Sequence, residues 1–223
     1  MIVLKHIVSI ARNDGRLPFN PFARYINSPE SVDRGYVTKE EIHTIMNTKM
    51  PDKTHELVRD LFLFSTFTGL AYSDVKNLTE DNLQTFFDGN LWITTRRKKT
   101  NTESNIRLLD VPKCIIEKYK GMTRDNKVFP MPSNTTCNKI LKTIAKLCGI
   151  KTHLTYHVAR HSAATTILLS NGVPIETVSR LLGHTNIKTT QIYAKITAQK
   201  ISQDLEQLSD KLGDMEKSIC SAI

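Results

Sequence analysis

The sequence predicts a mainly α-helical protein with a small antiparallel β-sheet inserted between helices. Three observations lead to this fold class. Apolar residues recur at helical spacing before residue 70 and after residue 110, β-forming residues concentrate between about 79 and 109, and turn residues separate these regions. Helices, a short sheet and then more helices is the order expected of a mainly α domain with a β insert.

The first predicted helix covers residues 1–13, with an apolar stripe that includes Ile2, Leu4 and Ile7. The Asn-Asp-Gly stop and the prolines after it are typical of a linker. A lone helix of this length is marginal in water, so we expect its apolar face to belong to a domain missing from this sequence. Residues 1–30 are therefore predicted to be the end of a truncated domain plus a linker, and residues 31–197 the main domain.

The main domain is predicted to open with a capped helix. Thr38 and Glu41 are spaced as a capping box ahead of an apolar helical pattern. A buried helix follows over about residues 55–67, closed by Thr68 and Gly69. Further helical patterns occupy about 112–120, 134–148, 157–171 and 174–182.

The β insert is predicted to contain a hairpin. Residues 91–97 are rich in β-forming residues, and residues 105–109 are their expected antiparallel partner. The Asp88-Gly89-Asn90 turn indicates a further strand before them.

The C-terminal segment 198–223 is distinct, because apolar residues recur in it at alternating spacings of four and three. This pattern predicts an amphipathic helix that needs a partner surface. The protein's own domain and a neighbouring subunit are equally compatible with it. The residues are Ile201, Leu205, Leu208, Leu212, Met215 and Ile219.

The composition favours a polyanionic partner. Thirty-one Lys and Arg residues against 22 Asp and Glu give a net charge of +9, and phosphates attract such a surplus. No apolar run approaches the roughly 18 residues that a membrane span needs. The four cysteines show no Cys-x-x-Cys spacing, so neither a zinc site nor a disulfide framework is predicted.

The residues between 157 and 193 carry the most chemistry. His157 and Arg160 would project from one face of a helix, where Arg160 can bind two phosphate oxygens and His157 can exchange protons. His184 follows Gly183, the predicted left-handed end of a helix. Tyr193 supplies a phenol that can act as a nucleophile. Taken alone, each of these residues could equally form a salt bridge or occupy a core position. Together they can bind and cut a phosphodiester.

A short helix is predicted between His184 and Tyr193. Thr185 or Asn186 is the expected N-cap, and the helix is expected to carry Tyr193.

The motifs HVARH, LLGH and the tyrosine after them resemble the catalytic domain of the tyrosine recombinase (phage-type integrase) family, a DNA breaking-rejoining fold. That family carries His-x-x-Arg, a second His or Trp after Leu-Gly, and a Tyr nucleophile. TFTGLAYSDVKNLTEDNL resembles its earlier Thr-Gly-Leu-Arg segment, and RRKKTNTESNIRLLDVP its β-hairpin Lys-Thr segment. The resemblance covers about residues 38–197, and four segments in the family's order make it specific.

The resemblance implies a site-specific recombinase or mobile-element integrase that cuts and rejoins DNA. Tyr193 matches the nucleophile, which forms a 3′-phosphotyrosyl intermediate and frees a 5′-hydroxyl. Arg160, His157 and His184 match the residues that activate the phosphate. Lys99 matches the hairpin lysine, the expected general acid for the leaving 5′-oxygen.

One position departs from the family pattern, because Ala71 stands where the first arginine is expected. Loss of that guanidinium would remove a large electrostatic term from the transition state. Arg97 lies two residues before Lys99, so an extended strand puts both on the same face, and we hypothesise that Arg97 replaces it. Contact of Arg97 with nearby DNA backbone is an equally weighted alternative. Asp74 matches an acidic position that braces the site.

The implied partner is double-stranded DNA, held by homotetramers, with Arg96 and Lys98 among the phosphate contacts. The implied chemistry needs no metal, cofactor or ATP. We expect a bacterial cytoplasmic protein associated with the nucleoid and not with a membrane.

Two other functions stay open at the level of sequence. Ala71 is compatible with a weak or inactive DNA-binding module. His153, His157 and His161 have a spacing that could bind metal in a hydrolase if one helix contained all three. Thr155 is a predicted N-cap that would start the helix after His153 and so argues against it.

Overall fold

The computed structural model describes residues 2–25, 35–96, 102–123 and 125–193, with residues 202, 204–206, 208–210 and 212–213 of the C-terminal segment. The chain divides into two compact units, Met1–Asp33 and Arg34–Ile223.

The first unit contains helix α1, Ile2–Asn13, as predicted. Gly15, with φ 70°, ends it, and Arg16 N–H donates to Ala11 O at 2.9 Å. Lys5 Nζ donates to Tyr25 O at 3.1 Å and ties the following turns to the helix. Three residues of the predicted apolar stripe are exposed, namely Leu4, Ile7 and Ile10, with 55% of Ile7 accessible.

The second unit is built around α3, Lys53–Thr68, whose Phe62 and Phe64 side chains are fully buried. The helix starts two residues before the predicted position, because Asp52 accepts hydrogen bonds from Thr54 N–H and His55 N–H. Packed around it are α2, Lys39–Asn47; α5, Asp110–Tyr119; α6, Asn134–Leu147; and α7, Tyr156–Ser162. The short helices are α4, Tyr72–Asn77; α8, Ile175–Leu181; and α9, Lys188–Gln191.

The predicted capping box of α2 is confirmed. Thr38 Oγ1 accepts from Glu41 N–H at 3.2 Å, and Glu41 Oε2 accepts from Thr38 N–H at 2.9 Å.

The sheet has three antiparallel strands in the order β1-β2-β3. They are β1, Leu83–Thr85; β2, Leu91–Arg96; and β3, Glu103–Arg107. Ile93 pairs with both Leu83 and Ile106, which places the apolar side of the sheet in the core. The mainly α class with a small antiparallel sheet is therefore confirmed.

The helix predicted over 157–171 is not one regular helix. After α7 the chain widens into a π-helical stretch, Ala163–Leu168, followed by a 3-10 turn, Leu169–Asn171. Ser162 Oγ accepts from Val37 N–H at 2.9 Å, and Thr166 Oγ1 donates to Val37 O at 2.6 Å. The π-helical stretch thus begins where the hydroxyls of Ser162 and Thr166 form hydrogen bonds with the backbone of Val37.

The described positions of the C-terminal segment are helical, and Leu205 and Leu208 are exposed. Ile201, Met215 and Ile219 lie outside the described residues, so the packing of the apolar face of this segment stays a prediction. Among the helices that the structure describes, none combines the length and apolarity needed to cross a bilayer.

Candidate active site

Arg160 is the buried cation of the site, with 6% of its surface exposed. Its Nη1 donates to Gly69 O and its Nη2 to Leu182 O, both at 2.6 Å. These carbonyls lie at the C-terminal ends of α3 and α8, where helix carbonyls lack intrahelical partners and carry partial negative charge. Two helix ends therefore orient one guanidinium group.

The two carbonyls that bind Arg160, called the Arg160 cradle below, require a glycine at position 69. Gly69 has φ 70°, in the left-handed region, and a Cβ added there would lie 2.7 Å from Leu182 Cδ2. The same residue that ends α3 thus allows both carbonyls to approach one side chain.

His184 is fixed by the end of α8. Gly183 N–H donates to Arg180 O, His184 N–H donates to Ser179 O, and Gly183 has φ 61°, which together form a Schellman motif. The predicted left-handed terminator is confirmed. The imidazole lies between two partners, with Nε2 at 2.9 Å from Arg160 Nη2 and Nδ1 at 2.8 Å from Thr190 Oγ1.

Tyr193 lies in a turn two residues beyond the end of α9, so the prediction that this helix carries it was wrong. The N-cap of α9 is Ile187, and not Thr185 or Asn186 as predicted, although Asn186 Oδ1 accepts from Lys188 N–H. Tyr193 N–H donates to Thr190 O at 3.0 Å, and 9% of the residue is exposed. Its ring belongs to a small apolar cluster with Ala164, Val178 and Leu182.

Histidines surround the phenol ring. The rings of His184 and Tyr193 are nearly parallel, at 18°, with centroids 6.4 Å apart. His161 meets Tyr193 edge to face at 4.8 Å and meets His157 at 4.4 Å. His157 is exposed, in contrast to Arg160. Sequence reasoning did not connect His161 to the tyrosine, although its position one turn after His157 was the available signal.

The predicted N-cap of α7 is confirmed, since Thr155 Oγ1 accepts from Val158 N–H. His153 therefore precedes the helix, and the three histidines do not share one helical face. This removes the geometric basis of the metal-binding alternative.

Ala71 occupies the N-cap position of α4, two residues after Gly69. Asp74 is 6% exposed; its Oδ2 accepts from Ala71 N–H at 3.4 Å and its Oδ1 from Ser73 Oγ at 3.2 Å. Asp74 thus braces the turn that follows Gly69.

The basic hairpin is described only at its base. Arg96 ends β2, is exposed and pairs with Glu103, whereas Arg97, Lys98 and Lys99 lie outside the described residues. Ser104 Oγ donates to Leu181 O at 2.8 Å, which attaches the base of the hairpin to the residue before Leu182.

A family model, that of the phage integrase family, matches residues 35–200. The chain belongs to this family. The chain is 30% identical over 206 residues to the tyrosine recombinase XerA of Thermococcus onnurineus. The aligned region covers 85% of this chain and 67% of the relative. The chain is 29% identical over 184 residues to XerA of Pyrococcus furiosus, covering 77% of this chain and 60% of that relative.

Solved structures show the same fold. A crystal structure of XerA recombinase matches with a TM-score of 0.62 and 20% identity, over 78% of this chain and 64% of the other. A lambda integrase dimer bound to a COC′ core site matches with a TM-score of 0.67 and 18% identity, over 85% of this chain and 69% of the other. This phage integrase family member thus spans about two thirds of the length of these relatives.

Proposed function

We propose that this chain is the catalytic part of a site-specific DNA recombinase or integrase that works through a 3′-phosphotyrosyl intermediate. The observation that carries the proposal is the Arg160–His184 pair, joined at 2.9 Å, beside the ring of Tyr193. A guanidinium and an imidazole can bind the non-bridging oxygens of a phosphate, and the adjacent phenol can attack it.

The chemistry balances without an external energy source. The Oη of Tyr193 forms a bond to phosphorus, the bond to the 5′-oxygen breaks, and the phenol proton passes to the imidazole of His184. Lys99 protonates the departing 5′-oxygen. The phosphotyrosyl ester conserves the energy of the broken bond, so a 5′-hydroxyl of a partner strand can reverse the attack without ATP.

The proposed partner is double-stranded DNA. The net charge of +9 and the exposed Arg96 at the base of the basic hairpin favour contact with phosphates. A relative of the same fold is a dimer bound to a core site, and we extend DNA binding to this chain by that similarity. Assembly of four protomers on two duplexes follows from the family and is part of the proposal.

Covalent capture tests the proposal. The chain is incubated with a random-sequence duplex library that carries nicks, so that the short 5′-hydroxyl fragment diffuses away after cleavage. We expect DNA that stays attached after denaturation in detergent, and no attachment with Tyr193→Phe. Tight DNA binding without any adduct would instead identify a DNA-binding module.

Arg97 is proposed to supply the guanidinium that Ala71 lacks. The hydrogen bond from Ser104 to Leu181 O supports this, because it places the base of the hairpin next to the Arg160 cradle. Arg97→Ala should lower adduct formation about 100-fold or more, as expected for loss of a transition-state donor, while DNA affinity is kept. Arg96→Ala is the matched control, which should weaken binding and leave cleavage of bound DNA intact. Near-normal cleavage by Arg97→Ala contradicts the assignment.

A further inference from the structure

Thr190 is a buried hydroxyl in the middle of the site. It is fully buried in the last turn of α9, and its Oγ1 lies 2.8 Å from His184 Nδ1. Its backbone carbonyl accepts the N–H of Tyr193 at 3.0 Å. One residue therefore contacts the imidazole through its side chain and the tyrosine through its backbone.

The neighbours of His184 determine which ring nitrogen carries the proton. A guanidinium group can only donate, so Nε2, at 2.9 Å from Arg160 Nη2, must accept with its lone pair. A neutral imidazole with a lone pair on Nε2 has its proton on Nδ1. That proton is donated to the Thr190 hydroxyl, which can accept it.

We propose that Thr190 is a positioning residue that holds His184 as the Nδ1–H tautomer, with Nε2 facing the reacting phosphate. The inference rests on the proposed recombinase function. When the guanidinium of Arg160 turns to a bound phosphate, its bond to Nε2 is given up, but the bond to Thr190 lies inside the protein and persists. His184 then presents a basic nitrogen that takes up a proton and, once protonated, donates to a phosphate oxygen.

Ring-nitrogen NMR of the full chain tests the tautomer without DNA. With ¹⁵N-labelled histidine, the resonances of His184 are assigned by their loss in His184→Gln. The nitrogen without a proton resonates well downfield of the protonated one, so we expect Nε2 downfield in the wild type. Because Arg160 still donates to Nε2 in the absence of DNA, Thr190→Val should keep the Nδ1–H tautomer but shift the Nδ1 resonance, whose proton loses its acceptor, and Thr190→Ser should not shift it. Thr190→Ala replaces Thr190→Val in this test if the valine variant does not fold.

Thr189→Val is the matched control, because Thr189 is exposed and adjacent. It should leave the ring-nitrogen shifts unchanged. A wild type with the proton on Nε2, or unchanged shifts in both Thr190→Val and Thr190→Ala, overturns the proposal.

Single-turnover adduct formation gives the second readout. Loss of one neutral hydrogen bond should slow Thr190→Val about tenfold at unchanged DNA affinity, with Thr190→Ser and Thr189→Val near normal. A Thr190→Val rate equal to that of the wild type contradicts the positioning role. If the wild type forms no adduct, the recombinase function fails, whereas the NMR result still decides the tautomer.

Discussion

Arg160 shows how the carbonyl groups at two helix ends orient a buried cation. Gly69 O and Leu182 O are neutral acceptors, and His184 Nε2 lies 2.9 Å from Arg160 Nη2. Exchange of these bonds for phosphate oxygens replaces neutral partners with a charged one, and charge-assisted hydrogen bonds are the stronger kind. Under the proposed function, the arginine is thus oriented before the anion binds.

Gly69→Ala should disturb this arrangement. The left-handed backbone costs a non-glycine residue about 1–2 kcal/mol, and the added Cβ would also press on Leu182 at 2.7 Å. We expect lower stability in urea unfolding and slower adduct formation, because both carbonyls that hold Arg160 shift.

Gly121→Ala is the control for strain alone. Gly121 has φ 73° and nothing within 4 Å of an added Cβ. The excess destabilisation of Gly69→Ala over Gly121→Ala measures the clash with Leu182. Equal destabilisation of the two variants, with normal adduct formation, would contradict the role assigned to Gly69.

At the scale of elements, the helix that carries Arg160 is fastened to the start of the domain. Ser162 and Thr166 bind both polar groups of the Val37 backbone, and all three residues are buried. Ser162 lies in α7, two residues after Arg160. Displacement of the segment around Val37 is therefore transmitted to α7 through Ser162 and to the π-helical stretch after it through Thr166.

Ser162→Ala should free the amide of Val37 from this bond. A buried N–H that loses its acceptor costs about 1–3 kcal/mol, so hydrogen exchange at Val37 should accelerate. Thr165→Val is a suitable control, because Thr165 lies next to Thr166 and is not part of the contact with Val37. Unchanged exchange at Val37 in Ser162→Ala would show that the bond does not hold this segment.

Local signals explain which elements the sequence could predict. The Thr38–Glu41 box and the terminators Gly69 and Gly183 act within one helical turn, so spacing alone locates them. The π-helical widening after Ser162 could not be predicted, because its apolar spacing is compatible with an ordinary helix. It coincides with contacts to Val37, more than 120 residues away.

The candidate site shows the same difference between residues with local sequence signals and residues placed by tertiary contacts. Motif spacing predicted Arg160, His184 and Tyr193, which the structure brings together. Thr190 was missed and the contact of His161 with Tyr193 was not predicted, because a threonine or histidine near a helix gives no signal until tertiary packing places a partner beside it. The roles of Lys99 and Arg97 stay predictions, since both residues lie outside the described part of the chain.

At the scale of the whole molecule, buried phenols should limit stability at alkaline pH. Burial raises the pKa of Tyr156, whose hydroxyl donates to Leu61 O at 3.1 Å, and that of Tyr72. Burial and the nearby Asp60 carboxylate raise the pKa of Tyr119, which donates to Asp60 Oδ2 at 2.9 Å. Burial also raises the pKa of the Cys137 thiol to about 11.

The direction of the pH dependence follows from these shifts. Below the ordinary pKa values of 9.0 for the thiol and 10.0 for the phenols, both folded and unfolded chains keep these protons, and the stabilisation is complete. Above these values the unfolded chain loses protons first, so stability falls as pH rises. One such proton changes the free energy of unfolding by about 1.4 kcal/mol per pH unit.

Urea unfolding at a series of pH values from 8 to about 11 checks this prediction. Tyr156→Phe should be less stable than the wild type at neutral pH, by about 1 kcal/mol for the lost hydrogen bond, and should show a shallower decline above pH 10. A decline as steep as that of the wild type would exclude Tyr156 as a contributor.

The single hydroxyl of Ser104, almost wholly enclosed, joins the sheet to Leu181. Leu182, the next residue, provides the carbonyl that holds Arg160. Strand β3, at the base of the hairpin, and Arg160 are consequently held by two neighbouring residues at the end of α8. Any duplex that displaces β3 would therefore also displace the end of α8, so the alignment of the guanidinium would change with the position of the hairpin base.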